Sequence, residues 1–206
     1  MSDSQGWCDR LEEYWSTEHQ TEDSDFVSNS PPTFVLSRHE ISVTPGETVL
    51  DIGVGNGQMA HYLHNESCLV HSMDISPVAL EKVKDVAKHC WLVTDSLPKD
   101  TFDLAICHLV AQHVADVDLI PQLENIFQSL KSGKILSIQF ASNPAVVNQN
   151  QTYELCRGGG VVRTVEESNG VIERAGGTVV REIHLPPFTE TKTLWHVFHC
   201  HAAGKG

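Results

Sequence analysis

Basic residues are scarce in this chain: 14 lysines and arginines stand against 27 aspartates and glutamates, a formal charge of −13 with the 12 histidines neutral. The imbalance is steepest at the start, where residues 1–30 hold eight acids (Asp3, Asp9, Glu12, Glu13, Glu18, Glu22, Asp23, Asp25) and the single base Arg10. Such a field opposes the attraction to phosphates on which nucleic-acid binding depends, and no Lys/Arg-rich run offsets it. DNA and bulk RNA are therefore not expected as partners. Long apolar runs are missing too. Stretches such as Leu104–Val110 fall far short of the roughly 18 residues a spanning helix needs, and MSDSQGWCDR carries acids where a signal peptide carries bases. A soluble, cytoplasmic protein is the expectation. The six cysteines, Cys8, Cys68, Cys90, Cys107, Cys156 and Cys200, form no C-x-x-C pair, which argues against a zinc knuckle or a thioredoxin-type centre. The cluster His196, His199, Cys200, His201 has the chemistry of a metal site. Strand alternation, however, places His199 and His201 on one face and His196 and Cys200 on the other, so no metal site is expected.

What remains is an ordinary globular composition, 40% hydrophobic with 14 glycines and 9 prolines, in a chain whose 206 residues suit one domain. Trp7, Leu11, Tyr14 and Trp15 share one face of a short N-terminal helix, and Thr33–Glu40 can form a second. From Pro45-Gly46 onward strands and helices alternate. Strands are expected at Thr48–Ile52, Leu69–Ile75, Trp91–Thr94, Phe102–His108 and Ile135–Phe140. Ser76-Pro77 should cap a helix with the inner face Leu80, Val83 and Ala87. Leu119, Leu123, Ile126, Phe127 and Leu130 line another helix, with Gly133 expected at its C′ position. Residues 143–160 show no period. A capping box, Thr164 with Glu167, opens a further helix that should stop at Gly176-Gly177. Two last strands, Val179–Leu185 and Leu194–His201, are too close in sequence for a parallel crossover and must pair antiparallel.

The strongest local signal is Val49-Leu50-Asp51-Ile52-Gly53-Val54-Gly55-Asn56-Gly57, a buried strand that delivers an acid and then glycines at alternate positions. Glycines admit positive φ and let the backbone approach a ligand. The spacing is not the G-x-G-x-x-G of nicotinamide sites, because position 58 is Gln and the acid precedes the glycines. Asp74 ends the second strand 21 residues after Gly53, where an acid can accept from both hydroxyls of a ribose. With the strand-helix-strand-strand ending, these features make residues 45–203 similar to the class I S-adenosylmethionine-dependent methyltransferases.

The resemblance implies an α/β fold, a Rossmann-like doubly wound seven-stranded sheet, mostly parallel with an antiparallel last strand. It also implies a division into an N-terminal helical lid, 1–44, and a methyltransferase domain, 45–206. The cofactor would be S-adenosyl-L-methionine, leaving as S-adenosyl-L-homocysteine. Its contacts would be Asp51, Gly53, Val54, Gly55, Asn56 and Gly57, then Asp74 on the ribose, Ile75 on the adenine, Asp95 and Ser96 at the adenine amino group, and His108. Where the family often carries an acid-His pair this chain has Gln112-His113, a departure that leaves the base open. His113 and His108 are the catalytic candidates, since a histidine can take a proton from a hydroxyl or amine at neutral pH. Tyr14, Trp15, His19 and His113 are expected to line the acceptor side, with Phe26 in the same lid and Arg38 set either against the methionine carboxylate or on the surface.

The marks of macromolecular methylation are missing: no Asn/Asp-Pro-Pro-aromatic tetrapeptide, no Pro-Cys nucleophile, no lysine near His108, no paired-glutamate loop. A small-molecule oxygen or nitrogen acceptor is the expectation. A tRNA or protein methyltransferase, or a non-catalytic partner subunit that binds the cofactor, stands as the alternative. Oligomeric state is not encoded in any pattern of this sequence.

Overall fold

The computed structural model describes residues 4–20, 30–143, 145, 149–186 and 193–204, and Phe26 lies outside them. The chain divides into two compact units, Met1–Ser96 and Leu97–Gly206. Among the described residues seven strands form a mixed sheet in the order β3-β2-β1-β4-β5-β7-β6.

The first unit opens with helices α1 (Ser4–Glu18) and α2 (Pro32–Arg38). It continues through β1 (Thr48–Ile52), α3 (Gln58–Asn65), β2 (Leu69–Asp74), α4 (Pro77–Glu81) and β3 (His89–Leu92). β1 pairs in parallel with β2, and β2 with β3. β1 buries four of its five residues, as expected for a parallel sheet covered on both faces, and Val49 and Leu50 are fully buried. α1 buries Leu11 and Trp15, and it packs on α4.

Two sequence expectations shift here. The helix after Ser76 stops at Glu81, and its continuation is wound as turns in which Lys82 and Val83 donate to Ala79 and Leu80, three residues back. Val83 is nonetheless buried. β3 lies two residues earlier than the Trp91–Thr94 reading, because the carboxylate of Asp95 accepts from the amide of Leu92 at 2.8 Å and turns the chain there.

The second unit comprises β4 (Phe102–Cys107), α5 (Asp116–Ser129), β5 (Leu130–Ser142), α6 (Tyr153–Arg157), α7 (Val165–Arg174), β6 (Gly177–Leu185) and β7 (Leu194–Ala202). β4 and β5 run parallel, whereas β7 is antiparallel to both β5 and β6. The Thr164–Glu167 capping box forms in full, with hydrogen bonds of 3.1 and 2.8 Å.

Gly133 corrects the sequence reading. Helix α5 ends at Ser129 and Leu130 is already extended, paired with Phe102, while Ile135 pairs with Leu104. The extra residues between these pairs bulge out of β5, and Gly133 at φ +71° makes the bulge possible. A C′ glycine and a bulge glycine both take positive φ, and only the pairing with β4 distinguishes the two. Among the described residues of the unperiodic stretch lies the short helix α6, capped by Thr152.

Candidate active site

In the first unit the chain leaves β1 through three glycines that all adopt positive φ: Gly53 at +78°, Gly55 at +55° and Gly57 at +80°. The alternate spacing is thus a backbone requirement, since side chains rarely accept this conformation. Gly57 has a further constraint, because a Cβ there would lie 2.7 Å from Cγ1 of Val83. Asp74 latches the turn to β2. One carboxylate oxygen accepts from the amide of Ser76 at 2.8 Å and the other from that of Gly55 at 3.4 Å.

Asp51 and Asp74 are both buried. Burial pushes Asp74 up to about 6, although the amides of Ser76, Gly55, Val54 and Ile75 pull the other way. Asp51 is pushed up to about 8, first by burial and then by the neighbouring charge of Asp74. Its Oδ2 is buried and makes no hydrogen bond to the described residues. A glycine cradle beside two under-compensated acids suits a ligand bearing cationic and hydrogen-donating groups. A sulfonium compound with an ammonium group and ribose hydroxyls meets that description.

The N-terminal helix is tied to the same region. Ser16 Oγ lies 3.2 Å from Oγ of Ser76, which also caps α4 by accepting from Ala79. Trp15 is buried, with the Tyr14 ring edge-on at 5.1 Å and the His19 ring at 6.0 Å. His19 is pulled down to about 4 by burial and then by the charge of Lys82, so it is neutral at neutral pH. Lys82 itself donates to Asn56 of the glycine turn at 3.1 Å. Tyr14, Trp15, His19 and Asn56 therefore belong to one neighbourhood, organised by Ser16, Ser76 and Lys82. Of these three organisers only Ser76 carried a sequence signal, its cap before Pro77.

Ile75 is half-buried, while Asp95 and Ser96 are exposed. The carboxylate of Asp95 closes its own turn through Leu92. The Arg38 guanidinium stacks on the Phe34 ring at 5.3 Å.

In the second unit His108 follows the end of β4, half-buried, and a 3₁₀ turn (Ala111–His113) carries Gln112 and His113. The turn is closed by Gln112 Nε2 donating to the carbonyl of Leu109 at 2.7 Å. Nδ1 of His113 lies 2.9 Å from the carbonyl oxygen of Cys156. A carbonyl only accepts, so this bond places the proton on Nδ1 and the ring's acceptor lone pair on Nε2. Burial lowers the His113 pKa, against the hydrogen bonds to the Cys156 and Arg157 backbone, which favours the neutral ring. Gly159, at φ +65°, is packed beneath that ring. A Cβ on it would lie 2.6 Å from Cε1 and 3.0 Å from Nε2.

The segment that carries His113 is held by a buried charge that the sequence reading missed. Arg163, 1% exposed, donates to the carbonyls of Ala111 at 3.0 Å and Val114 at 2.8 Å and pairs with Asp116 at 2.8 Å. Asp116 also accepts from Gln151 and Arg174 at 2.9 and 3.1 Å. Burial alone would raise the Asp116 pKa, but Arg163 and these hydrogen bonds hold it below the usual carboxylate range. The Phe140 ring faces the guanidinium at 5.5 Å. No local spacing announces an ion pair between positions 116 and 163.

Residues 50–138 match the family model of a methyltransferase domain. An uncharacterised methyltransferase of Synechocystis is 26% identical over 115 residues, which cover 53% of this chain and 54% of that protein. The chain thus aligns with about half the length of this relative. Among solved structures, a SAM-dependent methyltransferase of Leishmania major superposes with a TM-score of 0.73 at 19% identity, over 96% of this chain and 85% of its own. A phosphoethanolamine N-methyltransferase of Haemonchus contortus, in complex with phosphomonomethylethanolamine and S-adenosylhomocysteine, gives 0.63 at 16% identity over 84% of this chain and 52% of its own. The matched segment begins at Leu50, immediately before Asp51, and runs through the glycine turn, Asp74 and the His108–His113 segment. The chain thus contains a segment similar to a methyltransferase domain and shares its α/β fold with S-adenosylmethionine-dependent methyltransferases.

Proposed function

We propose that this protein is a methyltransferase that transfers the methyl group of S-adenosylmethionine to an oxygen or nitrogen atom of a small molecule. The observation that carries the reading is the glycine turn latched by Asp74 beside Asp51, whose buried Oδ2 lacks a donor. The bound cofactor supplies a methyl group on a positively charged sulfur. Asp51 and Asp74 receive its donor and cationic groups, and Gly53, Gly55 and Gly57 keep side chains out of its path. Val54 and Asn56 complete the turn, with Ile75, Asp95, Ser96 and His108 as further contacts.

In-line displacement demands positioning and exclusion of water rather than an oxyanion hole. Tyr14, Trp15 and His19, on and just after an N-terminal helix set beside α4, serve as the cover over the acceptor. His113, with its proton fixed on Nδ1, accepts the proton of a hydroxyl or amine at Nε2. The amine substrate class of the Haemonchus relative supports a small acceptor here as well. Among the described residues no helix is long and apolar enough to cross a membrane.

Calorimetric titration with S-adenosylmethionine, S-adenosylhomocysteine and NAD tests the cofactor site. Binding of the two sulfur nucleotides but not NAD, weakened about tenfold or more by Asp74→Ala, is the expected result, as two backbone latches and a ribose contact go together. Absence of binding by either sulfur nucleotide would overturn the reading. A panel of small alcohols and amines, monitored by release of S-adenosylhomocysteine, then tests the acceptor class.

A further inference from the structure

The two antiparallel strands at the end of the chain bring together a set of side chains that methyl transfer does not use. Glu182 and His184 alternate along β6 and therefore share a face, and His184 stands directly opposite His196 of β7. One carboxylate oxygen of Glu182 lies 3.1 Å from Nε2 of His184 and 3.5 Å from Nδ1 of His196. The three ligand atoms are all within 4.8 Å of one another. The side chain of His196 is only 6% exposed, and its Nδ1 makes no hydrogen bond of normal geometry to the described residues. The same is true of the Glu182 oxygen that faces it. The two imidazole rings meet edge to face, with centroids 4.7 Å apart.

We propose that Glu182, His184 and His196 form a site for a divalent cation of the zinc class. Two imidazole nitrogens and one carboxylate oxygen are a donor set that zinc accepts, with bonds of about 2.0–2.1 Å and tetrahedral geometry. Those bond lengths require ligand atoms roughly 3.3 Å apart. The observed separations of 3.1 and 3.5 Å bracket that value. The remaining adjustment is the approach of the two imidazoles, and His184, with a side chain 69% exposed, is free to rotate toward the buried His196. The Glu182 oxygen and Nδ1 of His196 are buried without a hydrogen bond of normal geometry to the described residues, and a dication would satisfy both together with His184. The fourth position falls to water.

The sequence reading set aside a metal site made from His196, His199, Cys200 and His201, and strand alternation does separate those four. The proposed site takes His196 alone from that group and recruits its other ligands from the facing strand. Bound metal would cross-link the sheet's edge strand β6 to β7.

The test is titration of the full-length protein with zinc chloride by calorimetry, together with thermal melts in zinc and in a chelator. The expected result is one equivalent bound at micromolar or tighter affinity and a melting temperature that rises with zinc. His184→Ala and Glu182→Gln should each weaken the binding at least about tenfold, the loss expected when one of three protein ligands is removed. Both are partly or largely exposed positions, so folding is preserved and S-adenosylmethionine titration serves as the control. Cobalt(II) should give the visible absorption of a tetrahedral complex, lost in both variants. Zinc binding that is absent, or that the two variants leave unchanged because other histidines supply it, would overturn the proposal.

Discussion

The turn after β1 and the segment after β4 both present polar side chains at the end of a parallel strand, yet they are held by opposite means. The first is built from neighbours in sequence: three glycines within five residues, all at positive φ, and one aspartate on the next strand. The second depends on Arg163, which reaches back to the carbonyls of Ala111 and Val114 and to Asp116. A local device tolerates change elsewhere in the chain, whereas the long-range clamp fails if one distant residue is lost. The two are also opposite in charge balance. Among the described residues no cation pairs with buried Asp51 or Asp74, while Asp116 has two arginines.

The sharpest break in the comparison is Arg163→Ala. It leaves Asp116 without its buried partner and takes the guanidinium from the carbonyls of Ala111 and Val114, and a loss of about 3–5 kcal/mol in denaturant unfolding is expected. A loss below about 1 kcal/mol would show that the clamp is dispensable.

Next in size is the pH dependence. The folded-state pKa of Asp51, about 8 against the ordinary 3.8, means that between those values the folded chain holds a proton that the unfolded chain has released. This contribution therefore falls as pH rises from 4 to 8. Asp51→Asn should flatten the decline and be the more stable form at pH 8 by a margin on the order of a few kcal/mol. The cationic cofactor should reverse the trend in the native protein and bind more tightly at pH 8 than at pH 6, because it favours the ionised acids. Melting temperatures across pH, with and without S-adenosylmethionine, check both statements.

Gly57→Val combines an unfavourable φ with the close approach to Val83, and about a 100-fold loss of cofactor affinity is expected from roughly 3 kcal/mol of strain. Titration of a variant that still melts cooperatively separates loss of the site from loss of the fold. The smallest effect belongs to Gly159→Ala. Displacing the His113 ring should lower kcat by about tenfold with little change in cofactor affinity, provided that His113 takes the proton. Equal losses in both quantities would place His113 in the structure rather than the chemistry.

Legibility in the sequence followed the range of the contacts. The glycine turn, the Ser76-Pro77 cap and the Thr164–Glu167 box were readable because each is decided within a few residues. The antiparallel ending was readable from the shortness of the connection. Gly133 was misplaced because the bulge exists only relative to β4, and β3 was shifted because Asp95 bends the chain back to Leu92. The Arg163–Asp116 clamp and the Glu182, His184, His196 cluster had no signature, since each unites residues from different elements.

The sequence by itself determined the alternation of strands and helices, the three positive-φ positions of the glycine turn and the acids at the strand ends. Steric limits on φ and the burial of apolar runs act locally and leave periodic traces. Tertiary structure alone decided which carbonyls Arg163 would satisfy, which way the proton of His113 would point and which histidine would face Glu182. Those outcomes depend on hydrogen bonds and strand register between distant segments, and such pairing is fixed only when the chain has folded.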